Sequence, residues 1–253
     1  MLFTKITQIP LGPINIQAWG FMVGLGMLVG LFFALAEAKR KGINKEAIYD
    51  IFLISVISSM IGGRLMYVAL YWHNFKYDLL EIFKIWNGGM VFFGGFLAAL
   101  AGLIIYARIK KIHFWKLADL LAPSLAIGLF IGRMGCFLIG DHIGAPSYGF
   151  GIGSYFGDET FLRHEVSAYM SLKGLILFVI LWSLRKKLKH DGDLALVFLA
   201  GYSILRFGID FLRANDLPGY SDPRFWGGMT ISQYICIAIL VFVLVKKFAK
   251  SKV

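Results

Sequence analysis

The chain has 253 residues, of which 58 % are hydrophobic and 16 % charged. This composition excludes an ordinary soluble domain and indicates a protein that crosses a membrane several times. The formal net charge of +11 does not indicate nucleic-acid binding, because the basic residues stand in tight groups between apolar segments. The two cysteines, Cys136 and Cys236, lie far apart inside apolar segments, so no disulfide framework is inferred.

The apolar segments predict the fold class. A helix needs about 20 apolar residues to cross a bilayer, and the chain accommodates seven such helices after an irregular opening. We therefore predict an all-α integral membrane protein with one domain over residues 1–253 and a small outer-face loop region at about 141–164. The predicted spans cover about residues 14–36, 48–70, 85–107, 118–139, 165–184, 194–212 and 229–245.

The basic residues predict the orientation of these spans. Groups of four lysines and arginines follow the first, third, fifth and seventh spans, and the third of these groups includes Lys189. Cytoplasmic loops collect lysine and arginine, so we expect the N-terminus outside and the C-terminus in the cytoplasm. The second, fourth and sixth spans then run parallel, from the inside to the outside.

Five charged residues fall inside or beside these three parallel spans. Arg64 lies in the second span, Arg133 in the fourth, Arg206 and Asp210 in the sixth, and Arg213 just after it. At 1.5 Å per residue, all five reach the outer half of the membrane or its outer edge. A charge at membrane depth costs a few kcal/mol, so we expect one shared polar cavity. Arginine binds phosphate bidentately, which predicts an anionic headgroup site. The alternative is that the arginines pair with Asp210 and backbone carbonyls and lock the helices together.

Several segments carry a family resemblance. The stretch ADLLAPSLAIGLFIGRMGCFLIGDHIG resembles the signature of the bacterial prolipoprotein diacylglyceryl transferases. Five further segments occur in the order known from that family, and the opening LGPINIQAWG is similar to its N-terminal element. The resemblance covers essentially the whole chain and implies the seven-span fold. The five segments are GGRLMYV, WNGGMVFFGG, LRHEVSAY, YSILRFGIDFLR and TISQY.

The resemblance implies an activity. Members of the family transfer the diacylglyceryl group of phosphatidylglycerol to the thiol of a lipobox cysteine in a prolipoprotein and release glycerol phosphate. It implies phosphatidylglycerol, the prolipoprotein signal peptide and membrane lipids as partners, no nucleic acid, no cofactor or metal, and a place in the bacterial cytoplasmic membrane. By motif position, Arg133 and Arg213 correspond to the essential arginines of the family, and we expect both to bind the phosphate with help from Arg64 or Arg206.

The chain departs from the family at polar positions. The family commonly has GNFxNxE after its arginine, whereas this chain has Cys136 and Ile139 at the asparagines and Asp141 at the glutamate. Phe93 stands where the family usually has a histidine before GG, and Trp19 replaces a tyrosine near the N-terminus. The base that is typical of the family is therefore missing.

Asp141 and His142 are the predicted substitutes for that base. Both follow the end of the fourth span, close to Arg133, and a histidine has a suitable pKa for accepting a thiol proton near neutrality. The alternative is that His142 is a solvated loop residue and that Asp141 is a helix-end partner for Arg133.

The remaining candidates have supporting roles. Asp210 stands at the glutamate of the last arginine motif, and an HPSQLYE-like element keeps only His164 and Tyr169, for which we expect structural roles. Cys136 is either a small apolar filler or a covalent acceptor. No grouping of Cys, His, Asp and Glu in the sequence has convincing metal-ligand spacing.

Three functional readings remain open at this point. The first is the family reaction. The second is a divergent paralogue that binds anionic lipid or a lipidated partner without transfer, and the third is a transferase with another acceptor, such as a hydroxyl. The losses at Phe93, Cys136 and Ile139 motivate the second reading.

Overall fold

The computed structural model of the protein describes residues 5–12, 14–155, 161–188, 190–217 and 223–250. Within these residues the chain is mostly helical, and seven helices are long and apolar enough to cross a membrane, as predicted. Their flanks expose large apolar side chains such as Leu28, Phe32 and Leu53, which suits contact with lipid. The long helices are α1 (Ala18–Lys41), α2 (Lys45–Leu70), α4 (Phe92–Ile109), α5 (Phe114–Ile139), α6 (Val166–Leu184), α7 (Asp193–Ile209) and α8 (Ile231–Lys250), and α3 (Trp72–Phe75) is a single turn.

Five short strands depart from the all-α prediction. β1 (Gln8–Leu11) and β2 (Ile14–Gln17) form an antiparallel hairpin before α1, so the first long helix begins at Ala18 rather than at residue 14. β3 (Ile143–Pro146), β4 (Gly153–Tyr155) and β5 (Leu162–Glu165) form a second antiparallel sheet in the order β3-β5-β4. This sheet occupies the predicted loop region, of which residues 156–160 lie outside the described part, as does Lys189 in the third basic group.

Two predicted spans have different ends in the structure. The third predicted span starts at residue 85, but Ile85–Asn87 is a 3-10 turn and α4 begins at Phe92. Gly88 and Gly89 separate them with φ values of +80° and +77°, which a continuous right-handed helix excludes. The sixth predicted span ends at residue 212, whereas α7 ends at Ile209 and a 3-10 turn carries the chain on through Asp210–Leu212.

The chain packs as two compact units, one of which covers residues 34–117. Its centre is the pair α2 and α4, whose backbones approach closely at two glycines. A Cβ at Gly62 would lie 2.5 Å from the Gly94 carbonyl oxygen, so a side chain there would separate the helices. Farther along, the Tyr106 hydroxyl donates a 2.7 Å hydrogen bond to Asp50 Oδ2.

The other unit covers residues 1–33 and 118–253. Its core contains buried aliphatic side chains from α5, α6 and α7, including Ala126, Leu177 and Leu194. The buried carboxylate of Asp119 on α5 accepts hydrogen bonds from the backbone N–H groups of Gly192 (2.9 Å) and Ala195 (2.8 Å) at the start of α7. These bonds satisfy N–H groups that have no partner within the helix.

The cap fixes the relative direction of two predicted spans. Because Asp119 lies near the start of α5 and caps the start of α7, the two helices run in the same direction. At 1.5 Å per residue, Arg133 lies about 21 Å along α5 from Asp119, and Arg206 lies about 17 Å along α7 from Ala195. Both arginines therefore lie toward the same end of this unit.

Candidate active site

The end of α5 brings four predicted residues together. Arg133 Nη1 lies 3.3 Å from His142 Nε2, and His142 Nδ1 lies 2.9 Å from Asp141 Oδ2. The Cys136 sulfur lies within 4.8 Å of ligand atoms on both Asp141 and His142. The arrangement is a cation, an imidazole and a carboxylate in sequence, with a buried thiol beside the imidazole.

A tight turn produces this arrangement. After α5 ends at Ile139, Gly140 has a φ of +68° and His142 has a φ of +67°. A left-handed conformation is uncommon for a residue with a Cβ and costs on the order of 1 kcal/mol. The Asp141 side chain holds it, because its Oδ1 accepts a 2.9 Å hydrogen bond from the His142 backbone N–H. Strain of this kind is concentrated at functional sites.

The charges tune the imidazole. The close approach of the Asp141 carboxylate, followed by that of the Cys136 thiol, raises the pKa of His142 above its ordinary value. Its contact with His142 in turn lowers the pKa of Asp141. The Nδ1–Oδ2 contact has ion-pair distance but lacks hydrogen-bond alignment. A proton on Nδ1 facing Asp141 leaves a lone pair on Nε2, which suits the N–H groups of Arg133.

Arg213 reaches the same region through its backbone. It follows the 3-10 turn after α7, and it forms an antiparallel bridge with Gly144, two residues beyond His142. The next residue continues the contact, because the Ala214 N–H donates to the Ile143 carbonyl at 3.3 Å. A Cβ at Gly144 would lie 2.3 Å from the His164 carbonyl oxygen, so the bridge requires glycine there.

Arg206 and Asp210 form a buried pair at the end of α7. Arg206 Nη2 lies 3.1 Å from Asp210 Oδ1, and the Thr230 hydroxyl donates to Asp210 Oδ2 at 2.8 Å. Arg206 also contacts Ser232 Oγ at 3.1 Å and the Met170 sulfur at 3.2 Å. A thioether is a weak acceptor, so among the described residues the carboxylate that offsets this charge is that of Asp210.

Lys173 is a functional candidate that the sequence analysis missed. It lies on α6 with 4 % of its surface exposed, and its Nζ stands 3.7 Å from the centroid of the Tyr202 ring on α7. A single lysine inside a long apolar segment gives no periodic signal. Its only available warning was the cost of a charge at membrane depth.

His164 and Tyr169, for which structural roles are predicted, contact each other. His164 is buried, and its Nδ1 lies 3.1 Å from the Tyr169 hydroxyl, which donates to the Ile152 carbonyl at 3.1 Å. Burial lowers the pKa of His164, which favours a neutral ring. Next to it, Arg163 forms a bidentate pair with Asp216 at 3.0 and 2.7 Å, joining β5 to the segment after α7.

Arg64 lies in the other unit, where its contacts favour the alternative reading. Its guanidinium donates to five backbone carbonyls at 2.5–3.4 Å, which matches its five N–H groups. The rings of Tyr67 and Phe75 flank it. These contacts leave no donor for a phosphate, so the geometry gives no support to the prediction that Arg64 binds lipid. The five carbonyls that Arg64 contacts belong to Glu81, Ile82, Lys84, Gly88 and Gly89. Phe93, which replaces the histidine of the family, is half-exposed and lies in the same unit on α4.

Cys136, Asp141 and His142 also offer one metal-ligand atom each within 4.8 Å of one another. A thiolate, an imidazole and a carboxylate are a donor set that zinc accepts. The Arg133 guanidinium stands 3.3 Å from the same imidazole, and its charge opposes a cation at this position. The arrangement suits proton transfer next to an anion better than it suits a metal.

Comparison with known proteins identifies the family of the chain. A sequence profile of the family described as prolipoprotein diacylglyceryl transferase matches residues 6–248. The phosphatidylglycerol–prolipoprotein diacylglyceryl transferase of Geobacillus kaustophilus is 33 % identical over 91 % of this chain and 87 % of its own length. The enzymes of the same name from Listeria innocua (31 % identical, 92 % of this chain and 85 % of theirs) and Bacillus velezensis (32 %, 93 % and 88 %) are similar over comparable lengths. The chain belongs to the prolipoprotein diacylglyceryl transferase family.

Proposed function

We propose that this chain, a diacylglyceryl transferase, moves the diacylglyceryl group of phosphatidylglycerol to the thiol of a lipobox cysteine at the site where α5 and α7 end. The observation that carries the proposal is the sequence of contacts from Arg133 through His142 to Asp141. It sets a fixed positive charge beside a histidine that can accept a proton. Those are the two functions that the reaction requires.

The reaction needs a thiolate and a stabilised leaving group. When the lipid phosphate takes over the N–H groups of Arg133, the lone pair of His142 Nε2 is free to accept the proton of the acceptor thiol. This step is needed because the thiolate is the nucleophile and an ordinary thiol, with a pKa of about 8.5, is mostly protonated. The sulfur then forms a bond to the terminal glycerol carbon of the diacylglyceryl group. The bond between that carbon and the phosphate oxygen breaks, and glycerol phosphate departs with the electron pair.

The arginines stabilise the departing phosphate. Arg133 and Arg213 bind the phosphate oxygens, and Arg206 adds positive charge from α7 while Asp210 fixes its position. The backbone bridge between Gly144 and Arg213 supports this assignment, because it pairs Arg213 with the residue two positions after His142. Charges held in place before reaction stabilise a transition state without reorganisation.

We infer the orientation from the charge pattern and the location from the family. The basic groups after alternate spans support an N-terminus outside and a C-terminus in the cytoplasm. In the cytoplasmic membrane of a bacterium this orientation opens the ends of α5 and α7, and with them Arg133, toward the outer leaflet.

The test is transfer from labelled phosphatidylglycerol to a synthetic lipobox peptide by the purified protein. A peptide in which serine replaces the lipobox cysteine is the control. We expect label on the cysteine peptide alone, and its loss in His142→Asn. Equal labelling of the serine peptide would indicate a hydroxyl acceptor. No transfer together with Arg133-dependent lipid binding would favour the paralogue that binds lipid without reacting.

A further inference from the structure

The region around Lys173 holds more positive than negative charge. Lys173 and Arg206 lie on facing sides of α6 and α7, because Met170, one turn before Lys173, contacts Arg206, and Tyr202, one turn before Arg206, contacts Lys173. The described residues give this pair one carboxylate, that of Asp210, which pairs with Arg206. Lys173 forms no ion pair or hydrogen bond with any described residue.

The surroundings of Lys173 raise the free-energy cost of burying its charge. Arg206 faces it from α7, as the contacts of Met170 and Tyr202 show. On the side of α5, Ser171 Oγ donates to the Phe130 carbonyl at 2.8 Å, so the α6 turn that carries Lys173 packs one turn before Arg133. A buried ammonium that faces a guanidinium is expensive unless an anion joins them.

The proposed reaction creates the anion that this charge suits. The phosphodiester of phosphatidylglycerol carries one negative charge, whereas the glycerol phosphate that leaves is a monoester whose second pKa is about 6. The leaving group therefore gains nearly a full negative charge as the bond between carbon and oxygen breaks. The product therefore needs one more positively charged side chain beside it than the substrate does.

We propose that Lys173 is a further phosphate-binding residue, and that it stabilises the additional charge of the departing glycerol phosphate. This inference rests on the proposed function for its substrate, but its argument rests on a buried ammonium that contacts the Tyr202 ring, lies on the side of α6 that faces Arg206, and pairs with no described carboxylate. The Tyr202 ring holds the ammonium in place by a cation–π contact while leaving it free of a carboxylate.

The experiment measures binding of glycerol phosphate to the purified protein in detergent, beside the transfer assay. Lys173→Met removes the charge and keeps a flexible side chain of similar length. We expect it to raise the Kd for glycerol phosphate about tenfold, which corresponds to the loss of one charge-assisted hydrogen bond. The Kd for glycerol methyl phosphate, a singly charged diester, should rise less. Lys173→Arg should stay within about threefold of the unmodified protein.

Two controls separate this proposal from others. Lys247→Met removes an exposed lysine near the C-terminal end of α8 and should change neither Kd. The melting temperature of Lys173→Met should equal or exceed that of the unmodified protein, because repulsion is removed. An unchanged Kd and kcat in a folded Lys173→Met protein would overturn the proposal and leave Lys173 a packing residue. Binding of glycerol phosphate that depends on Lys173, without any transfer, would overturn the proposed function and keep the phosphate site.

Discussion

Arg64 and Lys173 are both buried cations in apolar helices, yet their surroundings differ. Arg64 is 6 % exposed and donates to five carbonyl oxygens of its own chain. Lys173 is 4 % exposed and contacts an aromatic ring, and Arg206 faces it from α7. The backbone of the protein satisfies the hydrogen-bond donors of Arg64. The ammonium of Lys173 has no acceptor among the described residues and is left for a ligand. Burial of a charged side chain therefore does not by itself indicate a binding site. Hydrogen-bond donors that the protein leaves without an acceptor are the better indication.

Arg133→Ala should separate binding from stability most clearly. Among the described residues Arg133 has one hydrogen-bond partner, the edge of the His142 imidazole, so its loss leaves little unpaired. We expect kcat/KM for phosphatidylglycerol to fall roughly 10²- to 10³-fold, with an unchanged melting temperature in detergent. Arg108→Ala, at an exposed arginine near the end of α4, is the matched control. Full activity in Arg133→Ala would remove this arginine from the site.

Arg64→Met should have the opposite profile. It leaves five carbonyl groups without their donor, and we expect unfolding to become easier by about 3 kcal/mol. For a chain of this size the melting temperature should fall by roughly 6–12 °C. The fraction that remains folded should keep its KM for phosphatidylglycerol. A stable variant with a raised KM would instead make Arg64 part of the lipid site and break the comparison.

Asp141→Asn tests the tuning of His142 through pH. The Asp141 carboxylate raises the pKa of His142, and a base acts in its neutral form, so activity rises as pH passes that pKa. Removing the carboxylate should move this rising limb to lower pH. The plateau should fall by no more than roughly 10²-fold. A profile of kcat/KM against pH that keeps its position would contradict the role of His142 as base.

Asp216→Asn should have the smallest effect. Arg163 is buried but Asp216 is 42 % exposed, so the pair contributes at most about 1 kcal/mol. Arg163 lowers the pKa of Asp216, so this stability is present above the unfolded pKa of an aspartate and is lost as pH falls through the lower, folded pKa. Thermal melts should therefore differ between variant and parent at neutral pH and converge in acid. A large loss of transfer would mean that the segment after α7 does more than pack.

The sequence predicted what depends on local spacing. The seven apolar helices follow from helix length, the parallel direction of α5 and α7 from the alternation of the basic groups, and the proximity of Arg133, Asp141 and His142 from their closeness along the chain. The family resemblance, which the comparison with known proteins confirmed, supplied the reaction. Spacing and resemblance together therefore predicted most of the fold and the centre of the site.

The remaining features depend on contacts between distant residues. The carbonyls around Arg64 lie 17 to 25 residues farther along the chain, in irregular backbone that no periodicity predicts. Lys173 becomes notable only when α7 brings Tyr202 and Arg206 against it. The small sheet at β3, β4 and β5 has strands of three or four residues, which are too short to show an alternating pattern among glycines and aromatics.

The contact between Lys173 and Tyr202 also has a consequence for how the chain enters the membrane. A lysine raises the free energy of inserting a helix by up to about 3 kcal/mol near the bilayer centre. α6 carries that cost when it leaves the ribosome, and the ring that offsets it belongs to α7, which is made later. The two helices therefore favour insertion as a hairpin, with the loop between them held on one side of the membrane. The residue that we assign to phosphate binding thus also sets a requirement on biogenesis.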